Sequence, residues 1–439
     1  MDTKTPKTPV TLPFAGWQAM SPATAAREVH GRIAPLPAAF RRAALAWVRP
    51  ENELAHALEK RSTPDFPAAG DGAHAVNRPF RGLPYLLKDL FDLAGVPTMA
   101  GSTFLSLVRP LPTKNSRFPE RVQQLGAACA GKSQLVEFAS GLTGENPHYG
   151  DCPHPFFPGR LSGGSSSGSA ALVAAGVVPF ALGTDTGGSV RVPAAFCGLH
   201  GFRGTPGHEW ITDAFPLSPT MDTAGWFTAN ATDMLTTWRD LVGGTEAPAG
   251  RRGCHLPMKA LLDGADDETS RACDAAAAAI CPAADRATHD ALLNAWQGAT
   301  DAYVTIGMSE AHAVHREWLT SYRANYDPVI WQRFHDAGHY PAEQILRARA
   351  KLEEIRAAWR QFFSSHDFLI LPATPCPAPR KVDCTIELRR SIIALTAPAS
   401  LGGLPVLSIP VPLPSGMSAG LQIIVPSANS AVIPWILGG

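Results

Sequence analysis

Two glycine–serine loops, 162-SGGSSSGS-169 and 184-TDTGGSVR-191, bracket the apolar run AALVAAGVVPFALG. This arrangement limits the fold more than any other feature of the chain. A flexible linker would lie in polar sequence, whereas these loops are set among segments that must be buried. AALVAAGVV has small residues on all sides and no polar stripe, which suits a helix packed in the interior. PFALG reads as a short buried strand, and TDTGGSVRVPAAF as a turn feeding another helix. Strand, glycine-rich loop and apolar helix in alternation predict an α/β protein with a largely buried sheet.

The pattern extends both ways along the chain. Leu83–Leu87 fits a buried strand ending at Lys88, and a helix over Phe118–Leu125 precedes a strand near Ala127–Cys129. FLILP at 368–372, VLSIPV at 406–411 and LQIIVP at 421–426 return to strand-like text. Residues 240–365 differ: they hold the alanine-rich Cys273–Ile280, tryptophans at 296, 318, 331 and 359, and a charged amphipathic run from Pro341 to Phe363. Four regions are therefore expected: a helical 1–65, a core at 66–239, a helical substrate-side insertion at 240–365, and a return to the core sheet at 366–439. In the first, one helix is predicted near Ser21 and another over AAFRRAALAWV at 38–48, divided by Pro35, Pro37 and Pro50.

Composition narrows the partners. Lysine and arginine number 38 and aspartate and glutamate 38, a balance that argues against nucleic acid as the main partner. Eight scattered cysteines lack C-x-x-C pairs, so neither a disulfide scaffold nor a metal site is predicted. The opening MDTKTPKTPVTLPF carries no long apolar h-region, and no unbroken run of membrane-spanning length occurs. A cytoplasmic protein is the expectation, with no membrane partner and no cofactor.

The chemistry belongs to the two loops. Successive glycines let backbone N–H groups converge on one point, where they can hold an anion or the oxyanion of a tetrahedral intermediate. The phosphate-binding form G-x-x-x-x-G-K-[ST] fails, because no lysine follows either cluster. Residues 164–168 satisfy G-x-S-x-G and nominate Ser166 as a hydrolase elbow, but the preceding PHPFFPGRLS is broken by prolines where a strand should stand. A Ser-His-Asp arrangement stays open as an alternative.

The stretch GRLSGGSSSGSAALVAAGVVPFALGTDTGGSVRVPAAFCGLHGF at 159–202 resembles the core motif of the amidase signature family, and GLPYLLKDLFDLAGVPTMAGS resembles its lysine segment. The resemblance implies that family's fold, a large mixed central sheet covered by helices on both sides. It implies Ser189 as nucleophile, Ser165 (held by a cis peptide in the family) as the bridging serine, and Lys88 as base. It also assigns an oxyanion hole to the amides of Thr186, Gly187, Gly188 and Ser189. Asp185 and Arg191 are expected to fix the turn, with Ser166 and Ser167 hydrogen-bonding inside their loop. Ser400 stands where relatives commonly have asparagine.

A serine hydroxyl attacks only when its proton has somewhere to go. An ordinary lysine is already protonated at neutral pH, so Lys88 must be buried to act as a base. Phe138, Ser140, Gly141, Tyr149 and Phe156 are the candidate pocket residues. No arginine constellation demanding a carboxylate is evident, so the expected substrate is a small uncharged carboxamide, aryl or alkyl. Carbamate or ester hydrolysis, the amidase subunit of a glutamine-dependent tRNA amidotransferase, and an inert binding protein are the alternatives. The resemblance leaves room for a homodimer.

Overall fold

The computed structural model describes residues 11–62, 78–244 and 252–438. Its strands are β1 (Leu45–Val48), β2 (Pro84–Lys88), β3 (Ala128–Ser133), β4 (Phe180–Asp185), β5 (His200–Arg203), β6 (Thr223–Thr228), β7 (Gly253–His255), β8 (Phe368–Pro372), β9 (Val406–Pro412) and β10 (Ser418–Ile424). They form one ten-stranded sheet in the order β1-β3-β2-β4-β6-β5-β9-β10-β8-β7. The sheet is mixed: β2 runs parallel to both β3 and β4, whereas β4–β6, β5–β6, β5–β9 and β9–β10 are antiparallel. This is the expected α/β class.

Successive side chains of a strand point to opposite faces. In β8, Phe368 and Ile370 enter one apolar cluster while Leu369 and Leu371 enter another. Both faces are therefore packed, and this is why FLILP reads as a continuous apolar run. The second cluster is roofed by helices Ala299–His315 and Ala342–Phe363, which supply Ile306, Leu352, Ile355 and Trp359. The amphipathic run at 341–363 is one helix of 22 residues, burying Ala348, Leu352, Ile355, Trp359 and Phe362 along a single stripe.

Two boundaries differ from the sequence reading. The helix predicted over 38–48 stops at Ala44, and Leu45–Val48 becomes β1, an edge strand antiparallel to β3. Gly131 permits the pairing: a Cβ there would lie 2.4 Å from the Trp47 carbonyl oxygen. Similarly, the helical region at 240–365 contributes β7, which pairs parallel with β8 at the far edge of the sheet.

Helix Ser167–Ala174 is buried throughout, and smallness is what lets it sit on the strands. Ser169 Oγ donates to the Leu182 carbonyl at 3.0 Å and lies 2.7 Å from Ser133 Oγ. Its N-terminus is thereby pinned where β2, β3 and β4 end.

Candidate active site

Lys88 closes β2, and its neighbour β4 carries Thr184 one residue before Asp185. The Lys88 side chain is fully buried. Its Nζ donates to Ser165 Oγ at 2.8 Å and to Thr184 Oγ1 at 2.7 Å. Burial pushes the Lys88 pKa down to about 7, although Asp185 and Asp222 oppose the shift. An amine so placed is available as a proton acceptor at neutral pH.

Ser165 follows a cis peptide bond from Gly164. Its carbonyl accepts from Val136 N–H at 3.2 Å, and Ser166 N–H donates to the Ser189 carbonyl at 3.3 Å. The two serine loops are thus tied directly to each other. Ser166 Oγ donates to the Thr184 carbonyl at 3.1 Å, so it bridges to β4 where a bond inside its own loop was expected. Ser167 opens the helix and lies beside the Cys152 thiol. Ser189 is almost fully buried, and its Oγ makes no hydrogen bond among the described residues.

The turn that carries Ser189 is organised by Asp185. That carboxylate accepts from the N–H groups of Gly188 (2.8 Å), Val190 (3.0 Å) and Arg191 (3.3 Å). It also pairs with two buried guanidiniums, Arg191 and Arg203, each 2.8 Å from Oδ1. Burial alone would raise the Asp185 pKa, but the two arginines hold it well below the usual carboxylate range. Arg191 reaches on to Gln422 Oε1 and Ser400 Oγ, both at 2.7 Å, so Ser400 accepts from the guanidinium directly.

The amides of Thr186, Gly187, Gly188 and Ser189 were the expected oxyanion hole. Gly188 N–H is spent on Asp185, while the N–H groups of Gly187 and Ser189 meet no acceptor among the described residues. Gly188 holds φ at +130°, a region that strains any side chain. A Cβ on Gly187 would fall 2.0 Å from Tyr303 Oη. Thr186 turns its hydroxyl to Asp222 Oδ1 at 2.6 Å.

Ser189 opens on a cavity of about 310 Å³ shared with Ser140, Gly141, Tyr303, Met308 and Arg333. Ser140 and Gly141 were among the candidate pocket residues. Phe138, Tyr149 and Phe156 were also candidates, but they do not reach it. Phe138 is fully buried against Phe104, Phe215 and His315. Tyr149 donates to the Ser102 carbonyl at 3.0 Å, and Phe156 packs on His154. Sequence reading missed Thr184, Arg203, Tyr303 and the arginines 333, 389 and 390, which line the cavity. The loop text contains Thr184, and GFRG contains Arg203, but no spacing marked either one.

The family profile described as Amidase matches residues 53–255 and 256–431. The chain belongs to the amidase signature family. Members hydrolyse amide-type C–N bonds by a serine–lysine mechanism. The 1-carboxybiuret hydrolase subunit AtzE of Pseudomonas sp. (strain ADP) is 32% identical over 383 residues, 81% of this chain and 82% of the relative. Indoleacetamide hydrolase of Pseudomonas syringae pv. syringae is 31% identical over 373 residues, 80% and 83% of the two chains. A solved structure described as "Crystal structure of amidase" is 29% identical and superposes with a TM-score of 0.80 over 95% of this chain and 96% of that one. Among the chain's described residues, no helix is long and apolar enough to cross a membrane. No cluster of three His, Cys, Asp or Glu side chains among them is placed to hold a metal ion.

Proposed function

We propose that the chain hydrolyses a small-molecule amide through an acyl-enzyme on Ser189, with Ser165 and neutral Lys88 as the proton relay. Ser189 Oγ attacks the carbonyl carbon as its proton passes to Ser165, whose own proton passes to Lys88 Nζ. The oxyanion meets the N–H groups of Gly187 and Ser189. Collapse of the intermediate breaks the C–N bond, and the relay in reverse protonates the leaving amine. Water then repeats the sequence on the ester and frees the acid.

The observation that carries this reading is the 2.8 Å contact between Lys88 Nζ and Ser165 Oγ, fully buried beneath the turn that holds Ser189. Leu142, Val304, Met308 and Ile393 give the cavity an apolar wall suited to the aryl or alkyl part of a substrate. Purified protein screened against matched amide, carbamate, ester and glutamine substrates should release acid and amine fastest from an amide. Ser189→Ala should release none. Faster carbamate or ester turnover would reassign the bond class, and turnover that persists in Ser189→Ala would overturn the mechanism.

A further inference from the structure

The cavity that contains Ser189 is not an uncharged one. Helix Pro328–Ala337 brings Arg333 to it, and helix Ile386–Gly402 brings Arg389 and Arg390. Arg333 and Arg389, with Ser140 and Gly141, also line an adjoining groove of about 170 Å³. The two guanidiniums therefore stand where the buried site meets the groove. The sequence reading found no such constellation, because the residues are more than a hundred positions from Ser189 in the chain.

The arginines differ in how they are satisfied. Arg390 is exposed and pairs with Asp301 at 3.0 Å. Arg389 holds Glu145 through Nη2 at 2.7 Å, but its Nε is buried without an acceptor. Arg333 has no carboxylate within salt-bridge reach among the described residues; its one hydrogen bond goes from Nη1 to the Ser140 carbonyl at 3.2 Å. Burial, and next the neighbouring Arg389, lower the Arg333 pKa. Glu145, Asp151 and Asp327 also line the groove, and Asp327 and Glu145 oppose part of the fall in the Arg333 pKa, but none is bonded to its guanidinium. Asp336, exposed at the cavity rim, accepts from Gln332 on its own helix, and Asp327 caps that helix at Val329 N–H. A half-buried guanidinium with no carboxylate bonded to it keeps unused donors, and its planar fork matches a carboxylate.

We propose that the substrate of this hydrolase carries a carboxylate beyond its scissile amide, bound by Arg333 with the free Nε–H of Arg389 beside it. The inference rests on the hydrolase reading above and narrows it from an uncharged amide to an anionic one. The part of the substrate between carbonyl and carboxylate lies along the apolar wall.

The test uses the inactive Ser189→Ala protein, titrated by calorimetry with succinamate and glutaramate and with their neutral counterparts, succinamide and glutaramide. At least one anionic member should bind tenfold or more tighter than its neutral partner. Adding Arg333→Gln should erase that advantage, Arg333→Lys should leave part of it, and Arg347→Gln on the exposed helix surface should preserve it. Equal affinity for the two members of each pair, absence of binding by any of them, or an advantage that survives both Arg333 variants would overturn the proposal. A serine-reactive fluorophosphonate probe on the wild-type protein separates the two readings. Labelled protein with no carboxylate preference sinks this inference alone, whereas unlabelled protein with the preference sinks the hydrolase reading alone.

Discussion

Lys88 Nζ stands between two hydroxyls, 2.8 Å from Ser165 and 2.7 Å from Thr184, and among the described residues no carboxylate is bonded to it. Burial outweighs the opposing charges of Asp185 and Asp222, which do not touch the amine, and this is the physical origin of its lowered pKa.

The activity should consequently rise with pH. Lys88 serves as a base only when deprotonated, so kcat/KM should climb through about pH 7 and level off above it. Lys88→Met should lower kcat by at least about a hundredfold and remove that limb. A limb near pH 7 that persists in the variant would assign the titration to another group.

The same shift sets a stability prediction. The folded pKa of Lys88 lies near 7 and the unfolded one near 10.5, so the unfolded chain binds more protons between those values. Stability from this group must then rise with pH across the window, and the penalty is largest below pH 7. Lys88→Met should raise Tm more at pH 6 than at pH 10, as read by calorimetry at both. An equal shift at the two pH values would show that the amine is not desolvated.

Thr184→Val retains the shape of the side chain and deletes one acceptor of the Lys88 ammonium. The apparent pKa of the kcat/KM profile should fall, by less than about one unit, and urea unfolding should show a larger loss of stability at pH 6, where the amine is charged, than at pH 9. A purely structural role for Thr184 would lower stability equally at both pH values and leave the profile in place.

Asp185→Asn would leave Arg191 and Arg203 buried without their counter-charge. The expected loss is about 3–5 kcal/mol, measured by denaturant unfolding, with activity falling in parallel as the Ser189 turn loses its anchor. A loss below about 1 kcal/mol would mean that the network does not hold the turn.

Gly187→Ala pushes a methyl group into the Tyr303 ring and should cost about 1–3 kcal/mol. Thermal melting of the double variant Gly187→Ala, Tyr303→Ala checks the cause, because the second change removes the obstacle. If the double variant is no more tolerant of the methyl group than the single one, the clash is not what excludes alanine.

The elements that position the site were readable because each announces itself locally. PYLLK, FALGTD and FLILP are apolar runs of strand length, and 167–174 has side chains small enough for a buried helix. The β1 edge was not readable, since Leu45–Val48 continues a helical run and only pairing with β3 across Gly131 makes it a strand. The cavity was read poorly for a related reason. Phe138 looks like a pocket aromatic by its place beside Ser140, yet its backbone lies at φ 49° and its ring turns into a cluster of other aromatics.

By itself, the sequence determined the α/β alternation and the glycine–serine turns around Ser165 and Ser189, and it singled out Lys88 as the strand-end lysine. Those are properties of short segments, fixed by burial period and by backbone freedom at glycine. Tertiary structure alone decided that Arg203 joins Arg191 on Asp185, that Tyr303 packs on Gly187, and that Arg333 and Arg389 face the same cavity as Ser189. Those neighbours come from helices and strands far apart in the chain. Only the packing of both faces of one sheet brings their side chains within bonding range.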